Sequence, residues 1–333
     1  MTSRERIKTI ISGQPADRCG FWLGQPHTDT WPILHKYFGT TTEEQLRQKL
    51  HDDFRWIAAW DYRDASGRGM FHIPDKVSHG DAGPLGRCES VADVDRLYEF
   101  PKPQFMNFTK TLDALRGAGD YYRASGLWTC FYHNVMDLFG MENYMAFMYE
   151  QPEVVQAVTD RVCQFYYDAN EAFFKLTGDE VDAFFFGNDF GTQLDLICSP
   201  SHFDQYVMPW FGRFTEQGHR FGHQVILHSC GSIHRVIGRL VDAHVNCLHP
   251  LQALARNMDA TTLSRDFGGK IAFLGGIDTQ ELLVNGTPQQ VRDEVRRVKD
   301  TLGPCVVISP SHECILPNVP PTNVAAMAEE AVK

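Results

Sequence analysis

Apolar residues fall into short contiguous runs, separated by longer stretches in which they recur at helical spacing. The runs at 20–23, 56–60, 122–130, 183–186, 224–227, 245–248, 271–274 and 305–308 read as strands. They are apolar on both faces, as parallel strands covered by helices are. The helices between them have legible ends. Thr287 supplies an N-cap, Pro288 the first helical position and Gln290 a capping-box partner, with Gly303 at the stop. A long amphipathic helix spans 153–176 and stops near Gly178, and Thr322 is expected to cap a last helix. Alternation of short parallel strands with helices predicts an α/β fold, a (β/α)8 TIM barrel, with 1–333 as one domain. The stretch 63–105 is rich in Gly, Pro and Asp and reads as an irregular insertion, a hairpin over the barrel mouth.

The chemistry-bearing residues sit just past the predicted strand ends, where the loops of such a barrel build its active site. Asn188 and Asp189 follow the run at 183–186, His228 and Cys230 the run at 224–227, and His249 and Gln252 the run at 245–248. Asp278 follows the run at 271–274, and His312, Glu313 and Cys314 follow the last. An imidazole and a thiolate one residue apart, with a thiolate or carboxylate from a neighbouring strand end, form the ligand set of an open catalytic zinc site. Such a site can bind a thiol, deprotonate it and aim it at an electrophile. The expected metal ligands are therefore His228, Cys230 and one of Cys314 and Glu313. A second thiolate would make the zinc electron-rich and keep a bound substrate thiolate nucleophilic, which favours Cys314. Asp189 and His312 are the candidate catalytic groups, orienting substrate or relaying a proton. Asn188, Gln252, Trp22 and Phe186 are the candidate substrate contacts, the aromatic rings suiting a methoxyarene or, by cation–π attraction, a methylammonium. Asp278 precedes Thr-Gln-Glu-Leu-Leu and reads as a helix cap.

Composition narrows the partners. The formal net charge of −11 argues against nucleic acid or anionic membrane, both of which want a basic face. No apolar run approaches the length of a membrane span, and the N-terminus has no apolar leader, so a cytoplasmic protein is expected. Nine scattered cysteines form no disulfide framework. Cys130, Cys163, Cys247 and Cys305 read as small buried hydrophobes. Cys230 lies beyond its apolar run and beside a glycine, which fits that role less well. No Walker sequence, nucleophile elbow or CxxC pair is present.

Several stretches together resemble the uroporphyrinogen decarboxylase superfamily. They are Thr2-Ser3-Arg4-Glu5-Arg6 with Pro15-Ala16-Asp17-Arg18, Gly187 to Gln193, Leu227 to Ser232, Gly275 to Gln280, and Pro320-Pro321-Thr322-Asn323-Val324. The resemblance implies the same barrel. It departs from the decarboxylase proper, whose N-terminal arginine-rich segment grips a polycarboxylate; Phe21 to His27 contains no arginine here. The His-x-Cys pair is instead similar to the superfamily's zinc methyltransferases, such as the methylcobamide:coenzyme M enzymes, whose third cysteine aligns with Glu313. The resemblance thus implies zinc, a corrinoid (cobalamin) carried by a partner corrinoid protein or bound transiently, and a small methylated substrate. The expected activity is methyl exchange between a methoxy, methylamine or thiol-linked donor and the corrinoid. Two alternatives stand beside it: a zinc-free lyase of the same superfamily acting on a smaller acid, and a non-catalytic barrel that binds a corrinoid or tetrapyrrole.

Overall fold

The computed structural model describes residues 1–333. Eight parallel strands surround one axis: β1 (Gly20–Phe21), β2 (Phe54–Ala58), β3 (Tyr122–Gly126), β4 (Ala183–Gly187), β5 (Gln224–His228), β6 (Cys247–Leu251), β7 (Ala272–Ile277) and β8 (Val306–Pro310). Neighbours in sequence pair from β2 through β8, and β1 pairs with β8. Helices fill the connections, as in a (β/α)8 barrel.

Period-two alternation makes two concentric cores. Phe185, Ile226, Cys247, Leu274 and Val307 point inward and pack with Trp22, Phe54 and Tyr122. Their sequence neighbours Phe184, Phe186, Val225, Leu227, Leu248, Phe273 and Ile308 point outward, against the helices. The helix Ser3–Ile11, held by a capping box between Thr2 and Glu5, plugs the lower end of the barrel with Ile7, Ile10 and Ile11. The N-terminal stretch that carries part of the family resemblance is therefore structural.

The two-residue β1 leaves a seam against β2, and buried carboxylates close it. The Asp53 N–H donates to Phe21 O at 2.9 Å, and the Phe21 N–H donates back to Asp53 Oδ2 at 3.1 Å. The Leu23 N–H donates to Asp52 Oδ2 at 3.1 Å. Each acid carries its own cations: Arg6 at 2.7 Å and Arg18 at 2.8 Å on Asp53, and Arg47 at 2.7 Å on Asp52. Burying those charges is tolerable because they are paired and their remaining oxygens are bonded.

Several sequence expectations shift. The structure extends β4, β5, β6, β7 and β8 beyond their apolar runs, so Gly187, His228, His249 and Ser309 are strand residues with ladder-fixed positions. The run expected at 122–130 ends at Gly126, and 127–130 form a loop. The long helix is Pro152–Thr177, with Gly178 at its C-cap, and the capping box of Thr287 and Gln290 is present. The last helix is Pro321–Ala331 with Pro320 at its N-cap, so Thr322 lies inside the first turn rather than capping it. No hairpin forms over 63–105. A single antiparallel bridge, Tyr62 to Met106, closes its base, and it contains the helix Val91–Leu97. Tyr62 and Phe71 pack on Phe165 of the long helix, so the segment is fastened to the outer helical layer. No helix is long and apolar enough to cross a membrane.

Candidate functional site

Strand alternation aims the site. His228 follows Ile226 on the inner face of β5, and His249 follows Cys247 on that of β6. The two imidazoles therefore form the next layer above the apolar interior, at the C-terminal mouth. Trp22 forms the floor beneath them, its ring centroid 5.2 Å from that of His249.

His228 is almost fully buried and has partners on both ring nitrogens. Nε2 lies 3.3 Å from Asp189 Oδ1 and 3.4 Å from Cys230 Sγ. Nδ1 lies 3.0 Å from His249 Nδ1 and 3.6 Å from Glu313 Oε2. Burial pulls the His228 imidazole down, but the Glu313 charge and the bonds to Asp189 and Cys230 outweigh it and hold it well above its ordinary value. His249 is driven the other way, by burial and then by the charge of His228, and stays neutral. Burial pushes Asp189 up, yet bonding to His228 leaves it well below the usual carboxylate range. Burial keeps the Cys230 thiol raised against the pull of His228. The charges around it thus hold His228 toward its protonated form, and burial holds the neighbouring thiol toward its neutral form.

The loops lock these groups. The Cys230 N–H donates to Asp189 Oδ1 at 2.8 Å, and the Gly231 N–H donates to Gln252 Oε1 at 2.8 Å. The Phe190 N–H donates to Ser229 Oγ at 3.1 Å. Glu313 is positioned by the loop after β1, where the Gln25 N–H donates to its carbonyl at 2.8 Å. Gly24 has φ +82°, and a Cβ there would lie 2.4 Å from the Glu313 carbonyl oxygen. Only glycine permits that approach.

The donor set fits a metal. Asp189, His228 Nε2 and Cys230 offer O, N and S atoms all within 4.8 Å of one another. Tetrahedral zinc with bonds of about 2.0–2.3 Å spaces its ligands about 3.3–3.7 Å apart. A second group, His228 Nδ1, His249 and Glu313, meets the same limit from the other side of the ring. Glu313 Oε2 is buried there without a hydrogen-bond partner. Neither group coincides with the expected set of His228, Cys230 and one of Cys314 and Glu313. Cys230 and Glu313 face opposite ring nitrogens, and one nitrogen serves one ion. On the thiol side the carboxylate beside His228 and Cys230 is that of Asp189, expected above as a catalytic group. Glu313 backs the ring instead, as carboxylates do behind metal-bound histidines. Cys314 belongs to neither group. It lines a cavity of about 410 Å³ beside the site, with Gln193, Gln252, Asp278, Thr279 and His312. Its own N–H donates to His312 Nδ1 at 3.0 Å.

Three expected substrate contacts lie elsewhere. Asn188 is fully buried and spent on backbone: its Oδ1 accepts from the Tyr132 N–H at 2.9 Å, and its Nδ2 donates to Thr129 O at 2.8 Å. Phe186 points outward onto Phe184, Phe211 and Phe214. Trp22 is sealed inside the barrel. Gln252 and His312 do reach the mouth. Asp278 accepts from the N–H groups of Gln280, Glu281 and Leu282 and so fastens the turn before the short helix Leu282–Asn285, whose N-cap is Glu281 and not the expected Asp278.

Sequence reasoning passed over Trp60 and Trp128. They lie two positions past β2 and β3, the same offset that puts Asp189 past β4 and Cys230 past β5. That shared offset was the available signal. The Trp128 ring is 5.1 Å from His228, centroid to centroid. Gly187 makes room for it, since a Cβ there would lie 2.0 Å from Trp128 Cζ2. Gly187→Ala is therefore expected to displace Trp128 and cost about 1–3 kcal/mol through overpacking. Near-ultraviolet circular dichroism and a denaturation midpoint read the two effects. An unchanged spectrum and midpoint would show that the tryptophan is not wedged there.

The sequence model of the uroporphyrinogen decarboxylase (URO-D) family matches residues 88–333, which include β3 to β8 and every residue of the His228 cluster. A search of curated proteins finds no match. Among solved structures, a methyltransferase from Methanosarcina mazei superposes over 99% of this chain and 98% of its own, with a TM-score of 0.69 at 16% identity. A Listeria monocytogenes protein described as a vitamin-B12 independent methionine synthase aligns over 95% of this chain and 96% of its own, at 9% identity and a TM-score of 0.40, too low to carry an argument. The first likeness concerns the fold, and it agrees with the strand order and helical connections found here. Because the family match takes in most of the barrel and all the polar strand ends that meet at its mouth, the chain belongs to the uroporphyrinogen decarboxylase family.

Proposed function

We propose that this protein is a metal-dependent methyltransferase, exchanging a methyl group between a small methylated donor and a corrinoid. One observation carries the reading: Asp189 and Cys230 converge on one nitrogen of a buried histidine, at 3.3 and 3.4 Å, at the mouth of a barrel. The end of β1 and the loop after it, Phe21 to His27, have no arginine to grip a polycarboxylate, which speaks against the decarboxylase chemistry after which the family is named. The superposition on a methyltransferase of the same length supports it at the level of the fold.

Zinc held by His228 Nε2, Cys230 and Asp189 would supply a Lewis acid with an open position for the sulfur, oxygen or nitrogen of a substrate. The chain's own residues prepare that place. His249 accepts from His228 Nδ1, and Glu313 lies behind it, so the ring is fixed with Nε2 toward the mouth. The fixed backbone of Ser229, Cys230 and Gly231 holds the thiol in line with it. Gln252 and His312 line the adjoining cavity, where His312 accepts at Nδ1 and so presents Nε2–H as a donor. His312 is the group placed to hold or release a proton beside the substrate.

The test is elemental analysis of purified protein, followed by transfer assays with cob(I)alamin across methoxy, methylamine and thioether donors. The expected result is roughly one zinc per chain and methylcobalamin formation from at least one donor class. Protein that neither carries zinc nor takes it up on titration would sink the reading in favour of the zinc-free lyase. Zinc and corrinoid binding without turnover on any donor would favour the non-catalytic barrel.

A further inference from the structure

The residues that directly follow the barrel strands include no lysine or arginine. Those nearest the eight strand ends, 22–27, 59–62, 127–134, 188–194, 229–234, 252–255, 278–284 and 311–318, contain neither, and cations stand immediately beyond three of them, at Arg63, Arg235 and Arg256. The same segments contain Asp61, Asp189, Asp278, Glu281 and Glu313. Asp278 is consumed by backbone N–H bonds, and the ion-pair partners of Asp189 and Glu313 are histidines alone. A divalent ion at His228 does not reverse the balance. The Cys230 thiolate, Asp189 and Glu313 together carry one more negative charge than such an ion neutralises. A cleft lined by one sign of charge concentrates ligands of the other.

An aromatic wall adjoins this charge. Trp128 packs beside His228, with Trp56 at 5.0 Å and Trp60 at 6.2 Å, centroid to centroid. Trp60 is 53% exposed, an unusual place to leave an indole. Indole faces attract cations lying within about 6 Å of the ring centre, and tryptophan does so best. Neighbouring tryptophans beside unneutralised carboxylates are the features by which proteins recognise methylated ammonium groups.

We infer that the small molecule taken at this mouth is a methylated ammonium ion, held against Trp60 and Trp128 and attracted by the carboxylates around Asp189. Its role as the methyl donor rests on the function proposed above; its binding does not. As a donor, a tetra-alkylated nitrogen loses one methyl carbon while the C–N bonding pair stays on nitrogen, leaving a neutral tertiary amine. The acceptor, a thiolate or a cobalt(I) corrinoid, supplies the pair for the new bond, and no proton moves. In water that amine then takes up a proton, so its release rests on hydration of the new N–H and not on loss of charge. A methoxyarene would stack on the same rings but gains nothing from the carboxylates. A thiol bearing a carboxylate or sulfonate brings its own negative charge toward those carboxylates.

The test is calorimetric titration of the zinc-loaded protein with choline, with the uncharged alcohol in which the choline nitrogen is replaced by carbon, and with anisole. Choline is expected to bind at least about tenfold more tightly than its neutral isostere, the difference that a cation–π site confers. Trp60→Ala should weaken choline about tenfold at unchanged zinc content, and Trp60→Phe should weaken it less. Equal binding of the neutral isostere, tighter binding of anisole, or no effect of Trp60→Ala overturns the inference. The two ideas fail separately. Protein that binds choline but transfers no methyl from any donor overturns the methyltransferase and leaves the ammonium site. Protein that ignores choline and demethylates a neutral ether does the reverse.

Discussion

Cys230→Ala is expected to lose its zinc on dialysis and show no methyl transfer, and His228→Ala should behave in the same way. No other thiol lies within reach of His228 Nε2; Cys314 is in neither ligand group. Asp189→Ala should also lose the metal, because it removes the third donor and the acceptor that holds the Cys230 N–H. Glu313→Gln should weaken zinc about 10–100-fold without abolishing it, the usual cost of removing a group that orients a ligating histidine. Cys314→Ala should keep full zinc. The pH dependence has a definite sign. Metal must displace the proton that Asp189 and Glu313 hold on His228, and the one that burial keeps on Cys230. Zinc affinity should therefore rise with pH across the neutral range and fall steeply in acid. Zinc content by mass spectrometry for the variant series decides the matter. If Cys314→Ala loses zinc and Asp189→Ala keeps it, the third ligand comes from the loop after β8 and not from the loop after β4.

The second large effect lies at the opposite end of the barrel. Asp53→Ala is expected to destabilise the fold by about 3–5 kcal/mol, the cost of leaving buried cations without a partner. It removes the acceptor of the Phe21 N–H that closes the β1–β2 seam, and it leaves Arg18 without its carboxylate. Arg6 retains Asp17 at 2.7 Å, which limits its share of the loss. Asp53→Asn keeps an oxygen for Phe21 and should cost less than alanine. Urea midpoints for the two variants measure the difference. A midpoint for Asp53→Ala equal to wild type would mean that the seam is held by the outer helices alone. Both variants should retain zinc in whatever fraction remains folded, since the whole barrel core separates Asp53 from His228.

The two ends of the barrel were not equally legible. Apolar runs and capping residues located every strand, the long helix and the helix after Thr287, because burial on both faces and local capping bonds are properties of adjacent residues. The polar residues past the runs marked His228, Cys230, Asp189 and Glu313 as one cluster for the same reason. Strand ends were harder to read, since the top layer of the barrel is polar. His228 and His249 belong to strands by hydrogen bonding and not by hydrophobicity.

What the chain order by itself determined is the architecture and which strand ends carry chemistry, because spacing along the chain sets both. What only the tertiary structure decided is partnership. Inward aim follows from strand parity, but the choice of Asp189 over Cys314 beside Cys230 depends on which way two loops turn. The Cys314 N–H bond to His312 and the Asp189 bond to the Cys230 N–H fix those turns. Likewise Phe186 and Trp22 looked alike as aromatic residues near strand ends, yet one faces the helices and the other the barrel axis. Trp60 and Trp128, unremarked in the sequence, become neighbours only when β2 and β3 pair in register. Such contacts join residues tens of positions apart, and no local pattern encodes the rotation of a side chain about a strand end.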